Sequence, residues 1–187
     1  TLFRSPQPIK IAVLAMGDDP VGQHAAAFAA LGEHNGHIAQ TTSVPGVAQR
    51  TGATIYYVEL FPRAAADAAG AAPVLALMPL TGDVDVVLAS ELMEAGRAVQ
   101  RGLVTPDRTT LVASTNRVYA IAEKIAMGDG RADAGELLAQ TRAAAQRFIG
   151  FDMAAAADAA GSVISAVLFT LPAASDRKST RLNSSHT

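Results

Sequence analysis

Two glycine-containing loops carry the residues whose types and spacing could do chemistry. The first, residues 17–22, reads Gly-Asp-Asp-Pro-Val-Gly and lies between an apolar run and an alanine-rich stretch. A strand, a glycine loop and a helix in this order place phosphate groups at a helix N-terminus. Asp18 and Asp19 would repel an anionic phosphate, however, and the loop lacks the glycine density that lets a ligand approach the backbone. On these residues alone, the loop is interpreted as an ordinary turn between a strand and a helix.

The second loop, residues 43–52, contains a proline, two glycines, Gln49 and Arg50. An arginine guanidinium is suited to recognising a carboxylate or a phosphate through paired hydrogen bonds. Several threonine and serine hydroxyls surround the loop, as a polar ligand would require, but turns are often rich in hydroxyls as well. A ligand-binding loop and a solvated loop with an exposed arginine therefore both remain open.

Further polar groups flank the apolar runs that follow. Asp83 and Asp85 precede one such run, Glu91 follows it, and the polar cluster 114–117 follows the next. Carboxylates at strand ends of an α/β sheet lie where ligands usually bind, but they are equally often caps and turn formers. The chain has no Gly-x-Ser-x-Gly elbow, which argues against a hydrolase of the α/β type.

Composition excludes several other classes of protein. The 187 residues include no cysteine, so the chain has no disulfide, no thiolate ligand for zinc or an iron–sulfur cluster, and no cysteine nucleophile. A net charge of -2 argues against nucleic-acid binding. No apolar run reaches the roughly 18 residues of a membrane span. No signal peptide is evident, so a cytoplasmic protein is expected.

The histidines give little support for a metal site. His34 and His37 are separated by Asn35-Gly36, which is predicted to end a helix. The two imidazoles would then not share a helical face, and no cluster of carboxylates accompanies them. We therefore expect no metal site in this chain.

Strand and helix patterns alternate along the chain. Strands are predicted over residues 9–15, 37–42, 53–60, 74–78, 84–89 and 109–113. Helices are predicted over residues 23–33, 90–101 (with Ser90 as the N-cap), 116–127 and 133–150. Residues 61–72 fit a loop or a short helix, and residues 163–171 fit a strand or a helix. The alternation predicts one α/β domain with a mostly parallel sheet over residues 1–175.

The last twelve residues differ in composition from everything before them. Residues 176–187 are polar and contain no alanine. They resemble a translated sequencing-adaptor segment, and we predict a non-native tail that takes no part in the fold.

Residues 43–54, with the run Gln49-Arg50-Thr51-Gly52, resemble the Gln-Arg-x-Gly loop of a known enzyme family. This is the gamma-type domain of 2-oxoacid:ferredoxin oxidoreductases, the pyruvate/ketoisovalerate oxidoreductase catalytic domain family. The closest branch is the beta subunit of indolepyruvate oxidoreductase. Residues 74–79, 82–95, 109–115 and 161–165 continue the resemblance in order, so that it spans roughly residues 9–171.

The resemblance implies a three-layer, Rossmann-like α/β domain that works as a subunit of a larger complex. Such a complex oxidatively decarboxylates aryl 2-oxo acids to acyl-coenzyme A, releases carbon dioxide and reduces ferredoxin. Thiamine diphosphate, magnesium and the iron–sulfur clusters would belong to a partner alpha subunit, and coenzyme A would be a cosubstrate. This chain would bind no cofactor alone and would carry no catalytic residue.

The resemblance also assigns residues to a cofactor-binding or subunit contact: Gly17, Gly22, Gly46, Gln49, Arg50 and Gly52. Between Asp18 and Leu31 the chain departs from the family, because the usual Gly-Gly-Gln-Gly loop is missing. A local, compensated frameshift would account for this patch. Two alternatives remain: a stand-alone Rossmann-like dinucleotide-binding module, and a non-catalytic interaction subunit.

Overall fold

The computed structural model describes residues 7–16, 21–44, 53–116 and 133–161. Within them lie six strands: β1 (Ile9–Met16), β2 (His37–Val44), β3 (Ala53–Pro62), β4 (Val86–Ala89), β5 (Thr110–Ser114) and β6 (Arg147–Phe151). The helices are α1 (Val21–His34), α2 (Arg63–Ala69), α3 (Leu92–Gln100), α4 (Ala134–Ala144) and α5 (Met153–Ala159). None of these described helices is long and apolar enough to cross a membrane.

The six strands form one sheet in the order β2-β3-β1-β4-β5-β6. Strands β4, β5 and β6 run parallel to β1, whereas β3 is antiparallel to both of its neighbours. After β1 the chain forms β2 at the edge of the sheet and then β3 between β2 and β1, and from β4 it builds outward on the other side of β1. The strand order therefore reverses between β1 and β4. The predicted mostly parallel α/β sheet is confirmed.

Apolar side chains on both faces of the sheet make the core. One face packs Leu14 and Leu111 against Ala95 and Ala98 of α3. The other face packs strand residues against α1 and α5, represented by Phe28 and Met153. Helices thus cover both faces, which gives the three layers that the resemblance implied.

The predicted strand over residues 74–78 is wrong. Residues 73–80, which we call the strap, have no ladder partner, and Val74 is 99% exposed. Side chains hold the strap instead, since Glu59 accepts a hydrogen bond from the Ala76 amide at 2.9 Å. Pro73 and Pro79, near the two ends of this apolar run, have no N–H to donate to a ladder and disfavour a strand here.

The predicted helix over residues 133–150 is only partly right. It begins after Asp133, whose carboxylate caps it by accepting from the amides of Gly135 and Glu136, and it ends at Ala144. The remainder forms β6, which pairs with β5. In the sequence, alanines extend the helix pattern beyond the end of the helix. In the structure, the residues of β6 pair with the edge of β5 instead.

Smaller differences concern helix starts. Helix α3 begins at Leu92 with Glu91 in the N-cap position, and neither Glu91 nor Ser90 supplies a side-chain cap. Residues 61–72 contain the short helix α2, one of the two outcomes predicted.

Three predictions fall outside the described residues: the helix over 116–127, the strand or helix over 163–171 and the tail 176–187. Asn116 alone is described among them, and it is not helical.

Candidate functional site at the carboxyl edge of the sheet

The carboxyl ends of β1 and β4 meet where the strand order reverses. In open α/β sheets, ligands bind in the crevice outside the strand ends at such a point. Strand β1 ends at Met16, and the predicted glycine loop follows it. On the other side, the Ser90 amide donates to the Leu14 carbonyl at 3.1 Å and ties the end of β4 to β1. The topology therefore selects this edge as the candidate site.

The described residue that precedes the first predicted loop is paired at this edge with the described residue that follows the second. Met16, the last residue of β1, pairs with Ala53, the first residue of β3. Gly17 follows the first of these residues and Gly52 precedes the second. Residues far apart in sequence thus leave the sheet side by side, as a single ligand or partner contacting both loops would require.

Of the six residues assigned by the resemblance, the structure describes only one. Gly22 lies in the first turn of α1. The other five lie outside the described residues: Gly17, Gly46, Gln49, Arg50 and Gly52.

A buried serine holds the carboxyl ends of β5 and β6. Ser114 is fully buried, and its Oγ accepts hydrogen bonds from the amides of Asn116 and Met153, each at 3.2 Å. The Asn116 carbonyl in turn accepts from the Leu92 amide at 2.9 Å and so satisfies the first turn of α3. Within the polar cluster predicted over residues 114–117, Ser114 is therefore a structural residue. Thr115 and Asn116 are half-buried, and Arg117 lies outside the described residues.

Two buried glutamates lie at the start of α3. Glu91 is 5% exposed and Glu94 is fully buried. Glu94 accepts a hydrogen bond from Arg97 through Oε1, while its Oε2 has no hydrogen-bond partner among the described residues. Burial raises the pKa of Glu94, although the charges of Arg97 and Arg101 act in the opposite direction. The edge thus contains a carboxyl group that holds its proton more tightly than usual.

Sequence reasoning missed Glu94. The available signal was its spacing from Arg97, because residues three apart on a helix are neighbours and pair through charge. In this helix Leu92 and Ala95 are buried and Val99 is half-buried, and Leu103, just beyond the helix, is buried as well.

Asp83 and Asp85 do not lie at this site. Both precede β4 and therefore belong to the amino edge, where they meet Lys10 and Arg108. The Arg108 Nε atom donates to Asp85 at 2.8 Å, its second nitrogen donates to Asp83, and the Lys10 ammonium also donates to Asp83. Together with Glu59, whose carboxylate lies 3.9 Å from the Lys10 ammonium, these residues form what we call the amino-edge cluster.

The amino-edge cluster is internally satisfied. Burial alone would raise the pKa of Asp83, but the hydrogen bond and charge of Lys10, with those of Arg108, hold it below its ordinary value. Tyr57 donates to Glu59, and burial followed by this hydrogen bond raises the pKa of Tyr57 far above the physiological range. Because the charged groups are paired with one another, the cluster stabilises the fold rather than offering a binding site.

The described residues contain no group of three or more histidine, aspartate or glutamate side chains arranged to hold a metal ion. His34 ends α1 and His37 begins β2, so the prediction that they do not share a helical face is confirmed.

Comparison with solved structures yields a structural likeness. No family model and no curated protein matches the chain. Among solved structures, the chain is similar to the pyruvate oxidoreductase subunit PORC (EC 1.2.7.1) from Thermotoga maritima, with 16% sequence identity and a TM-score of 0.41. The match covers 66% of this chain, which spans 59% of that subunit. The fold class of this chain rests on its own strand order.

Proposed function

We propose that the chain is a subunit, or part of a subunit, of an indolepyruvate-type 2-oxoacid:ferredoxin oxidoreductase of the cytoplasm. The ordered resemblance over residues 9–171 supports the proposal at the level of sequence. The observation that carries it in the structure is the Met16–Ala53 pair, from which the glycine loop and the Gln-Arg loop both depart. Two loops anchored together can contact one ligand or one partner surface.

In this proposal, thiamine diphosphate held with magnesium by a partner alpha subunit supplies the decarboxylation chemistry. The partner's iron–sulfur clusters carry the electrons to ferredoxin, and coenzyme A accepts the acyl group. The role of this chain is positioning. Arg50 would bind a carboxylate or phosphate through paired hydrogen bonds, Gln49 would add an amide contact, and the glycines would let the loop approach closely.

Reconstitution of the complex tests this function. The full chain is mixed with the thiamine-binding subunit from the same source, and indolepyruvate-dependent reduction of a viologen dye is followed. Activity that requires both chains is expected. Absence of association and of any contribution to turnover would overturn the proposal.

Arg50→Ala sharpens that test. Loss of a charge-assisted hydrogen bond is expected to lower kcat/KM by about tenfold or more while the subunits still associate. Arg147→Ala is the matched control, because Arg147 is exposed on β6, at the far end of the sheet from the β2–β3 hairpin. Equal kinetics for Arg50→Ala and the control would reject the role of Arg50 and favour a non-catalytic interaction subunit.

The reversal of strand order between β1 and β4 favours one second candidate, a stand-alone dinucleotide-binding module. Calorimetric titration of the lone chain with NAD and NADP distinguishes the two. Micromolar binding without the partner subunit would support the module, and the absence of heat would eliminate it.

A further inference from the structure

Among the described residues, β2 is an edge strand, and its protection is limited to its first residue, where the Arg63 guanidinium donates to the His37 carbonyl at 3.4 Å. It is eight residues long, His37–Val44, and contains no lysine, arginine, aspartate, glutamate or proline. Its pairing with β3 continues over eight consecutive residues without a bulge. Natural edges are commonly shortened, charged, bulged or covered, since an open edge recruits another strand. Strand β6, at the other edge, is shorter at five residues and begins with an exposed arginine.

The outward-pointing backbone groups of β2 can be identified. The Arg63 amide donates to the Gly36 carbonyl at 2.9 Å, so even-numbered residues of this segment exchange hydrogen bonds with β3. By the alternation of an antiparallel ladder, the N–H and C=O groups of the odd-numbered residues point away from β3. These residues are His37, Ala39, Thr41 and Ser43. No described strand pairs with them.

An exposed apolar surface adjoins this edge. The strap presents Val74, Leu77, Met78 and Leu80 with exposed fractions of 99, 69, 55 and 60%. It is attached to β2, since the Gln40 amide donates to the Ala76 carbonyl at 2.9 Å and the Thr42 hydroxyl to the Leu77 carbonyl at 2.8 Å. Contiguous apolar patches on soluble proteins commonly mark interaction sites.

We propose that a second copy of this chain pairs along β2, in antiparallel orientation about a two-fold axis. With Thr41 opposite Thr41 of the other copy, Ala39 faces Ser43, and the outward-pointing groups of these three residues are satisfied in both strands. Threonine pairs are favourable across antiparallel strands. No like charges face each other in this arrangement, because β2 contains no aspartate, glutamate, lysine or arginine. Self-pairing therefore requires no change of sequence or shape.

The two-fold geometry also covers the strap. An axis perpendicular to the sheet keeps both straps on the same face. The Leu77 carbonyl is bonded to Thr42, one residue from the axis, so the two Leu77 residues lie near each other on that face. The exposed apolar residues then form the centre of the interface rather than a surface left in water.

Helix α1 is compatible with this arrangement on the opposite face. It packs over β2 and β3. Because strands lie about 4.8 Å apart, the α1 helices of the two copies would be about 10 Å apart, close to the 8–10 Å of packed helices. Exposed alanines on α1, among them Ala26 and Ala30, add little bulk between them.

Thr41→Pro tests the pairing. The Thr41 amide points away from β3, so proline removes no hydrogen bond within the chain and the monomer is expected to fold. In sedimentation velocity, the full-length chain is expected at twice its 19.2 kDa mass. Thr41→Pro is expected to raise the dimer dissociation constant by at least about tenfold. Thr41→Val is the matched control, because it keeps the amide and is expected to stay dimeric.

Cross-linking provides a second test that does not depend on the proline variant folding. The chain has no cysteine, so an introduced one is unique. Thr41→Cys is expected to form a disulfide-linked dimer on mild oxidation, because facing Cα atoms lie about 5.5 Å apart. Ala155→Cys, exposed on α5, is the control and is expected to remain monomeric.

Two results would overturn the proposal. A wild-type chain that stays monomeric at tens of micromolar, with no Thr41→Cys cross-link, would show that this edge is covered by another occupant, such as a different protein or a segment of the same chain. A dimer unaffected by Thr41→Pro, again without the cross-link, would assign self-association to another surface.

Discussion

The amino and carboxyl edges of the sheet use polar residues in different ways. At the amino edge, Lys10 and Arg108 form ion pairs with Asp83, Asp85 and Glu59, and the third carboxylate, Glu59, also accepts from Tyr57 and the Ala76 amide. At the carboxyl edge, backbone groups and the Ser114 hydroxyl hold the strand ends. The buried carboxyl of Glu94 there is only partly compensated. The first edge therefore stabilises the fold through ion pairs, whereas the second contains Met16 and Ala53, from which the two predicted loops continue in sequence.

Removing the Lys10 ammonium from the amino edge should give the largest loss of stability among the variants of the two edges. Lys10→Met leaves the buried Glu59 and the hydrogen-bonded Asp83 without their ammonium partner. Breaking a buried pair from one side costs about 3 kcal/mol of unfolding free energy. Urea unfolding measures this loss.

The control for Lys10 is Arg147→Met, which removes an exposed cation and should change stability by less than about 0.5 kcal/mol. A loss below about 1 kcal/mol for Lys10→Met would show that the cluster behaves as ordinary surface ion pairs.

At the carboxyl edge, Ser114→Ala should have the next largest effect. It deprives two amides, those of Asn116 and Met153, of their acceptor within a buried site. Unsatisfied buried donors cost about 2 kcal/mol, measurable by the same urea titration. Ser90→Ala makes the same chemical change after β4, where the serine hydroxyl bonds to no described residue, and should be nearly neutral. Equal effects of the two substitutions would contradict the structural role of Ser114.

The smallest effects should appear in the pH dependence of stability, with opposite signs at the two edges. The folded-state pKa of Asp83 is depressed, so its contribution is present above 3.8 and is lost as the pH falls through the folded value. The folded-state pKa of Glu94 is raised, so its contribution is present below 4.5 and is lost as the pH rises through the folded value. Urea unfolding at a series of pH values from 3 to 8 measures both contributions to the free energy of unfolding.

The variants Asp83→Asn and Glu94→Gln separate these contributions. Asp83→Asn should be less stable than the wild type at neutral pH, with the difference shrinking in acid. Glu94→Gln should lack the loss of stability that the wild type shows above pH 4.5. Parallel pH profiles for both variants and the wild type would remove the electrostatic distinction between the edges.

Much of the fold was accessible from local patterns. The apolar β-branched runs predicted β1, β3, β4 and β5 to within about two residues at either end, since such runs suit strands covered on their faces. The prediction failed where an apolar run had no ladder partner, as in the strap, or where alanine masked a change of structure, as before β6. The misplacement of Asp83 and Asp85 was avoidable. Both precede a parallel strand, and such residues lie at the amino edge.

The sequence by itself determined the α/β class, the absence of cysteine thiolates from these 187 residues, and the positions of two glycine-containing loops, of which the second resembles a known family and the first departs from it. Only the tertiary structure decided that β3 enters between β2 and β1 as the single antiparallel strand of the sheet that it describes. That insertion pairs Met16 with Ala53, the described residues next to the two loops, and it leaves β2 at the edge of the described sheet. The physical reason is that strand pairing depends on which distant segments have compatible unpaired edges, and local periodicity does not encode that choice.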